Sequence, residues 1–298
     1  NYKTKINKLL LDKGNAFLPN NFVASKLNIP EILIGREKEK KIIANNISEI
    51  LREEGSKIIR IFGSAGVGKS SIILYLREAS RNEEFEELLI NKNDFESIPY
   101  IYLIYIQMES RVPTGGLILK FFKHIYNEFG GDGFFIELAH KLVGRILGEI
   151  YEIDFRSKKK IEEEFSKREI RNFEDPDDFE DMIVDKIKYR TINKIITRNY
   201  KKIDNIYLKN LDQGFINLMC EIINPDQTFQ EEALRRLSES AEIGKYGLND
   251  DISAMEILSN IISTIKFINK FCCIVIAVDH LETYTRGSNM IIWMKFSN

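Results

Sequence analysis

A glycine-rich stretch at residues 63–70 constrains this chain more than any other feature of its sequence. Its fixed positions follow the spacing G-x-x-x-x-G-K-S and are occupied by Gly63, Gly68, Lys69 and Ser70, with a third glycine at Gly66. Glycine allows the tight backbone curl that points several N–H groups toward one anion. A β-branched run (57–62) precedes the stretch, and an apolar face with helical spacing (70–80) follows it. The pattern therefore predicts a buried strand, a phosphate-binding loop and a helix in succession.

The residue types in this loop fit the parts of a nucleoside triphosphate bound with Mg²⁺. The helix that opens near Gly68 would direct its positive end at the phosphates. Lys69 is expected to reach the β- and γ-phosphates and to serve catalysis, and the hydroxyl of Ser70 is expected to hold Mg²⁺. The residues predicted to bind the nucleotide are consecutive: Gly63, Ser64, Ala65, Gly66, Val67, Gly68, Lys69, Ser70 and Ser71.

An acidic residue from another part of the chain is expected to complete the metal site. The run FCCIVIAV (271–278) is entirely apolar, which predicts a central strand of a parallel sheet. Asp279 follows this strand directly, so its carboxylate is expected to lie beside Ser70 and to bind the Mg²⁺ shell. Two nearby residues are candidates for activating water: Glu282 as the preferred base, or His280 as a weaker one. Slow hydrolysis is the third possibility.

These motifs resemble those of the AAA+/STAND branch of P-loop ATPases, in particular the ATPase domains of origin-recognition-like proteins. Upstream of the loop, Ile34, Gly35 and Arg36 are similar to the box that lies against the adenine in that group. The resemblance implies ATP or ADP as the ligand, with these three residues near the base. It also implies a homo-oligomer or a partner protein. The glutamate that normally follows the Walker B aspartate is replaced here by His280.

The expected fold is α/β: a three-layer P-loop NTPase core with a central, mostly parallel sheet, plus a large α-helical insertion. A further strand is predicted at 98–108, and helical spacing recurs in five runs, 117–128, 134–151, 157–171, 178–204 and 229–242. The chain then divides into an irregular N-terminal lead-in (1–30), the first half of the core (31–110), the insertion (111–254) and the second part of the core (255–298). No lid is expected within it.

Composition restricts the cellular setting. With 44% hydrophobic and 30% charged residues and a net charge of −2, the chain has the balance of a soluble globular protein. Its longest apolar run (272–278) is too short to cross a bilayer, so no membrane association is expected. Its three cysteines lack the spacing of a zinc site or a disulfide framework, and a cytoplasmic location is expected.

Positive charge is concentrated in one predicted helix. Five basic residues recur every four positions and would form a stripe along it: Lys186, Arg190, Lys194, Arg198 and Lys202. Such a stripe fits a nucleic-acid backbone, but it also fits a solvated face or a partner for the acidic segment 174–185.

Three functions are therefore open. The first is Mg²⁺-dependent ATP hydrolysis that drives a conformational change. The second is a STAND-like switch, gated by nucleotide with little turnover, and the third is a DNA-associated ATPase module.

Overall fold

The structure, a computed structural model, describes residues 36–53, 57–61, 68–81, 100–107, 117–239, 241–242, 244–269 and 272–279. The predicted loop residues 63–67, the pair Ile34 and Gly35, and the candidates His280 and Glu282 lie outside the described residues. Residues 290–296, whose composition predicts a further strand, lie outside them as well.

Two parallel strands form the described sheet. β1 (Tyr100–Gln107) and β2 (Cys272–Asp279) run side by side, from Tyr100 opposite Cys272 to Gln107 opposite Asp279. Both strands consist largely of β-branched and aromatic residues, which pack well on a pleated surface. The sequence predictions of these two strands, and of a parallel arrangement for the second, are confirmed.

Helices cover both faces of these strands. α1 (Glu37–Glu53) and α2 (Lys69–Arg81) pack on the face that carries Leu103 and Cys273. α3 (Leu117–Phe129) and α12 (Asp251–Ile268) pack on the other face, which carries Ile104 among others. Because successive strand residues point to opposite faces, each strand contributes to two hydrophobic clusters. Helices therefore lie on both faces of the two described strands, and a three-layer P-loop core with a central sheet stays a prediction.

The run before the glycine-rich stretch differs from its prediction. Residues 57–61 have no regular secondary structure, and Ile58 is 66% exposed. A strand is stabilised by pairing and by burial of at least one face, and the described part of the chain supplies neither to these residues. The prediction of a buried strand is therefore wrong for 57–61.

Residues 117–238 form a helical unit, as predicted for this part of the chain. Between α3 and α12 it contains α4 (Asp132–Ile153), α5 (Phe155–Glu164), α6 (Lys167–Arg171), α7 (Pro176–Ile183), α8 (Lys186–Asn199), a 3-10 turn (Tyr200–Lys202), α9 (Ile206–Lys209), α10 (Gln213–Ile222) and α11 (Gln227–Ser238). α4 is its central helix, with Phe135, Leu142 and Ile146 fully buried. Its core continues into the cluster between the sheet and α3.

Two of the predicted helical runs are divided into shorter helices. Asp185 accepts hydrogen bonds from two backbone N–H groups and starts α8, which divides the run predicted at 178–204. Ser166 forms a capping box with Glu169 and divides the run predicted at 157–171. Short polar side chains satisfy the first N–H groups of a helix, so each of them favours a new start. The predicted boundary at residue 254 lies inside α12, and the division into domains stays a prediction.

Two smaller predictions concern the cysteines and the membrane. Cys220 and Cys273 are buried and Cys272 is half-buried, and all three are free thiols. Among the described helices, none combines the length and the apolar character that crossing a bilayer requires.

Candidate nucleotide and metal site

The site begins at the first turn of α2. Gly68, immediately before it, has a φ of 87°, and its carbonyl accepts a hydrogen bond from the N–H of Ile72 at 3.1 Å. An added Cβ at Gly68 would meet no atom within 4 Å, so the backbone conformation rather than crowding calls for glycine here. Lys69 and Ser71 are half-buried on the same turn. The transition from loop to helix therefore lies where the sequence predicted it.

Ser70 and Asp279 meet at the end of the sheet. The hydroxyl Oγ of Ser70 donates a hydrogen bond to Oδ2 of Asp279, although the residues are 209 positions apart in the chain. Asp279 is the last residue of β2, and Ser70 lies in the first turn of the helix that packs on this face. The sequence prediction that this carboxylate lies beside Ser70 is confirmed.

A third residue, Tyr105 of β1, contacts the same carboxylate. Its hydroxyl donates to Oδ2 of Asp279 at 2.7 Å, and its side chain is 9% exposed. Burial, together with the hydrogen bond to Asp279, raises the pKa of the Tyr105 hydroxyl, so the group stays protonated and acts as a donor. The sequence analysis included no tyrosine in the site. Strand alternation was the available signal, because it sets Tyr105 and Gln107 on one face at the end of β1.

An ion pair connects α2 with the helical unit. Nη2 of Arg77 lies 2.7 Å from Oε2 of Glu128 on α3, and both side chains are less than one-fifth exposed. Ser70 and Arg77 lie on the same helix, two turns apart. The helix that carries the predicted phosphate-binding residues is thus anchored to the helical unit through a largely buried contact.

Other predicted residues stand apart from this group. Arg36 precedes α1 with a φ of 60°, and its exposed guanidinium donates to Oε1 of Glu39 at 3.0 Å.

The basic stripe also lies apart from this group. α8 carries four of its exposed residues, Lys186, Arg190, Lys194 and Arg198. His140, which no sequence prediction assigned to a site, is buried in the helical unit, where burial lowers its pKa. Among the described residues, no cluster of histidine, cysteine and acidic side chains could hold a metal by itself.

One family model matches part of this chain. Residues 22–112 match a family described as a protein of unknown function, DUF815. The matched segment contains the glycine-rich stretch, α2 and β1, but not Asp279. No curated protein and no solved structure matches the chain.

Proposed function

We propose that this protein is a P-loop NTPase that binds ATP with Mg²⁺. The observation that carries the proposal is the hydrogen bond between Ser70 and Asp279. Sequence analysis assigned these two residues to one metal shell from separate motifs. Their contact across 209 positions is the arrangement that such a shell needs.

The oxygen atoms at this point fit a magnesium ion. Mg²⁺ prefers hard oxygen ligands, usually one or two protein side chains together with water and substrate phosphates. A serine hydroxyl and a carboxylate at the end of β2 provide such donors. When bound, Mg²⁺ would neutralise negative charge on the phosphates. Ser70 would then offer an oxygen lone pair to the metal while its O–H continues to donate to Asp279.

Residues of the chain itself would bind the phosphates and the adenine and would position the attacking water. Lys69 would pair with the terminal phosphates, and the loop from Gly63 to Gly68 would direct backbone N–H groups toward them. Glu282, or His280 in its place, would orient the attacking water. Ile34, Gly35 and Arg36 would line the adenine. The resemblance to AAA+/STAND ATPases adds the expectations of a conformational cycle, of an oligomer or partner protein, and of a cytoplasmic location.

Calorimetry with ATP and magnesium tests the proposal. Lys69→Ala should weaken binding tenfold or more, since it removes a charge-assisted contact of roughly 1.5–3 kcal/mol. Lys141→Ala is the matched control, because that lysine is partly exposed on α4 and pairs with Glu137. The control should bind like the wild type. Absence of ATP binding by the wild-type protein would refute the proposal.

Steady-state hydrolysis separates an enzyme from a switch. Glu282→Gln should abolish turnover while ATP binding persists, if Glu282 orients the attacking water. If the wild type binds ATP tightly and does not turn it over, the STAND-like switch is the better description.

A second candidate function, nucleic-acid binding, is favoured by the surface of α8. Tyr189, Ile192 and Ile196 form the buried side of this helix. The opposite side carries four exposed residues of the basic stripe: Lys186, Arg190, Lys194 and Arg198. None of the four stripe residues on α8 forms an ion pair with a described residue. The fifth predicted residue, Lys202, lies in the 3-10 turn and pairs with Asp154, and Lys188 on α8 pairs with Glu169. The acidic segment 174–185 likewise gives the stripe no partner among the described residues. Such unpaired cations are available to phosphate groups.

Salt dependence tests this candidate. Binding to a fluorescent DNA duplex should weaken with salt, with a log–log slope of about −0.9 per neutralised phosphate. The double variant Arg190→Gln/Lys194→Gln should reduce that slope by about two units. Arg235→Gln/Lys245→Gln, which removes two cations that pair with acidic residues, is the control and should leave the slope unchanged. An equal slope in all three proteins would exclude the stripe as a nucleic-acid-binding surface.

A further inference from the structure

Two hydroxyl groups converge on one oxygen of Asp279. Ser70 Oγ and the Tyr105 hydroxyl both donate to Oδ2. Ser70 reaches it from α2, whereas Tyr105 reaches it from the neighbouring strand. The two donors therefore belong to different elements, and one of them is not part of the glycine-rich motif.

The register of the sheet explains the reach of Tyr105. Tyr105 is opposite Ala277, two residues before Asp279, so both side chains project from the same face of adjacent strands. Diagonal neighbours of this kind are about 7–8 Å apart at their Cα atoms, a gap that a tyrosine can span. The 2.7 Å contact is the result, and the low exposure of Tyr105 limits alternative positions of its ring.

A carboxylate at a strand end needs such a partner. The terminal torsion of aspartate is broad and nearly two-fold, so an unrestrained carboxylate samples many orientations. A donor fixed on Oδ2 restricts that rotation. Ser70 would share its hydroxyl between the metal and this carboxylate, whereas the strand-borne hydroxyl of Tyr105 would donate to Oδ2 without binding the metal.

We propose that Tyr105 is a positioning residue for Asp279, which orients the carboxylate toward magnesium bound with the nucleotide. This inference rests on the proposed function and deepens it. It assigns to β1 a part in metal binding, and it predicts that loss of one hydroxyl alters the magnesium dependence of nucleotide binding rather than nucleotide binding itself.

The test measures ATP affinity in excess magnesium and in EDTA, for wild type and Tyr105→Phe. In EDTA the two proteins should bind equally, because the predicted loop and Lys69 are unchanged. In magnesium the variant should bind roughly threefold to tenfold more weakly, as expected for one hydrogen bond. The variant should also need a correspondingly higher Mg²⁺ concentration to reach half of the magnesium-dependent increase in ATP affinity.

Two comparisons exclude a general structural effect. Tyr102→Phe removes a hydroxyl from the opposite face of β1, where the ring of Tyr102 lies edge-on to Phe129, and should leave the magnesium dependence unchanged. In an Asp279→Ala background, Tyr105→Phe should add no further loss, because the group that it positions is gone.

Each outcome decides a specific question. If the wild type shows magnesium-dependent binding and Tyr105→Phe matches it, or if the variant loses affinity equally in EDTA, the role of Tyr105 is refuted and the proposed function stands. If the wild type binds no nucleotide under either condition, both proposals fall together.

Discussion

Ser70 Oγ donates a hydrogen bond to Oδ2 of Asp279, and this contact joins the first turn of α2 to the last residue of β2. Tyr105 donates to the same oxygen from β1. Three elements therefore meet in one group of polar side chains. Because a buried polar group without a partner is costly, this group also affects the stability of the fold.

Truncation of Asp279 should destabilise the nucleotide-free protein. In Asp279→Ala the Tyr105 hydroxyl loses its acceptor while it stays buried, which should cost about 1–3 kcal/mol of unfolding free energy. Tyr105→Phe in the same background removes the orphaned hydroxyl and should recover part of that loss. Urea denaturation of the wild type, both single variants and the double variant gives the comparison. Strictly additive losses would show that the two side chains are not coupled.

Two glycines of α4 should respond oppositely to replacement by alanine. A Cβ at Gly144 would lie 1.9 Å from the carbonyl oxygen of Phe173, so the backbone would have to move. Gly144→Ala should therefore lower stability by about 1–3 kcal/mol or more. A Cβ at Gly148 meets nothing within 4 Å, and Gly148→Ala should raise stability by about 0.5–1 kcal/mol through the better helix propensity of alanine. Thermal unfolding of both variants checks the prediction, and the same sign for both would contradict it.

Asp154 should make stability sensitive to acid. It caps α5, and hydrogen bonds from Ser157 and Lys202 hold the pKa of its carboxyl at about 2, below its ordinary value of 3.8. A lowered pKa in the folded state means that the stabilisation is complete above about pH 4 and is lost as the pH falls toward 2. Asp154→Asn keeps a capping acceptor without the charge. Its unfolding midpoint should approach that of the wild type as the pH falls over this range, and a constant difference would refute the assignment.

The three cysteines should react slowly in the folded protein. Burial raises the pKa of the Cys272 thiol to about 11 and that of Cys220 and Cys273 to about 12. Since the thiolate is the reactive form, a chromogenic disulfide reagent at mildly alkaline pH should modify them far more slowly than in denaturant. Unfolded protein should react rapidly at all three cysteines and release three equivalents of the chromophore from the reagent. Rapid modification of a folded-state thiol would show that its strand or helix opens readily.

Local patterns allowed part of this structure to be predicted. Fully apolar or aromatic runs predicted β1 and β2, because a buried strand leaves a clear pattern in the sequence. The glycine spacing predicted the start of α2, where Gly68 has a positive φ. Asp279 was placed beside Ser70 because the end of a buried strand and the start of such a helix meet at one edge of a parallel sheet.

Other features depend on tertiary structure and were missed or wrong. The role of Tyr105 depends on strand register, which pairs it with Ala277 and cannot be read from one strand alone. Residues 57–61 have the composition of a buried strand, but they are exposed and pair with neither of the two strands in the described part of the chain. Helix lengths in the helical unit were overestimated where capping residues such as Asp185 interrupt a continuing apolar period.

The long connection between the two strands also bears on the order in which the helical unit and the strand pair fold. Gln107 and Asp279 are neighbours in the register, yet the whole helical unit lies between them in the chain. Closing so long a loop by strand pairing alone is entropically unfavourable, whereas helices that contact near neighbours form quickly. We expect the helical unit to collapse first and bring the strand ends together. The side chains of Ser70, Tyr105 and Asp279 would then meet among the last contacts of folding, and the proposed nucleotide would not stabilise earlier folding intermediates.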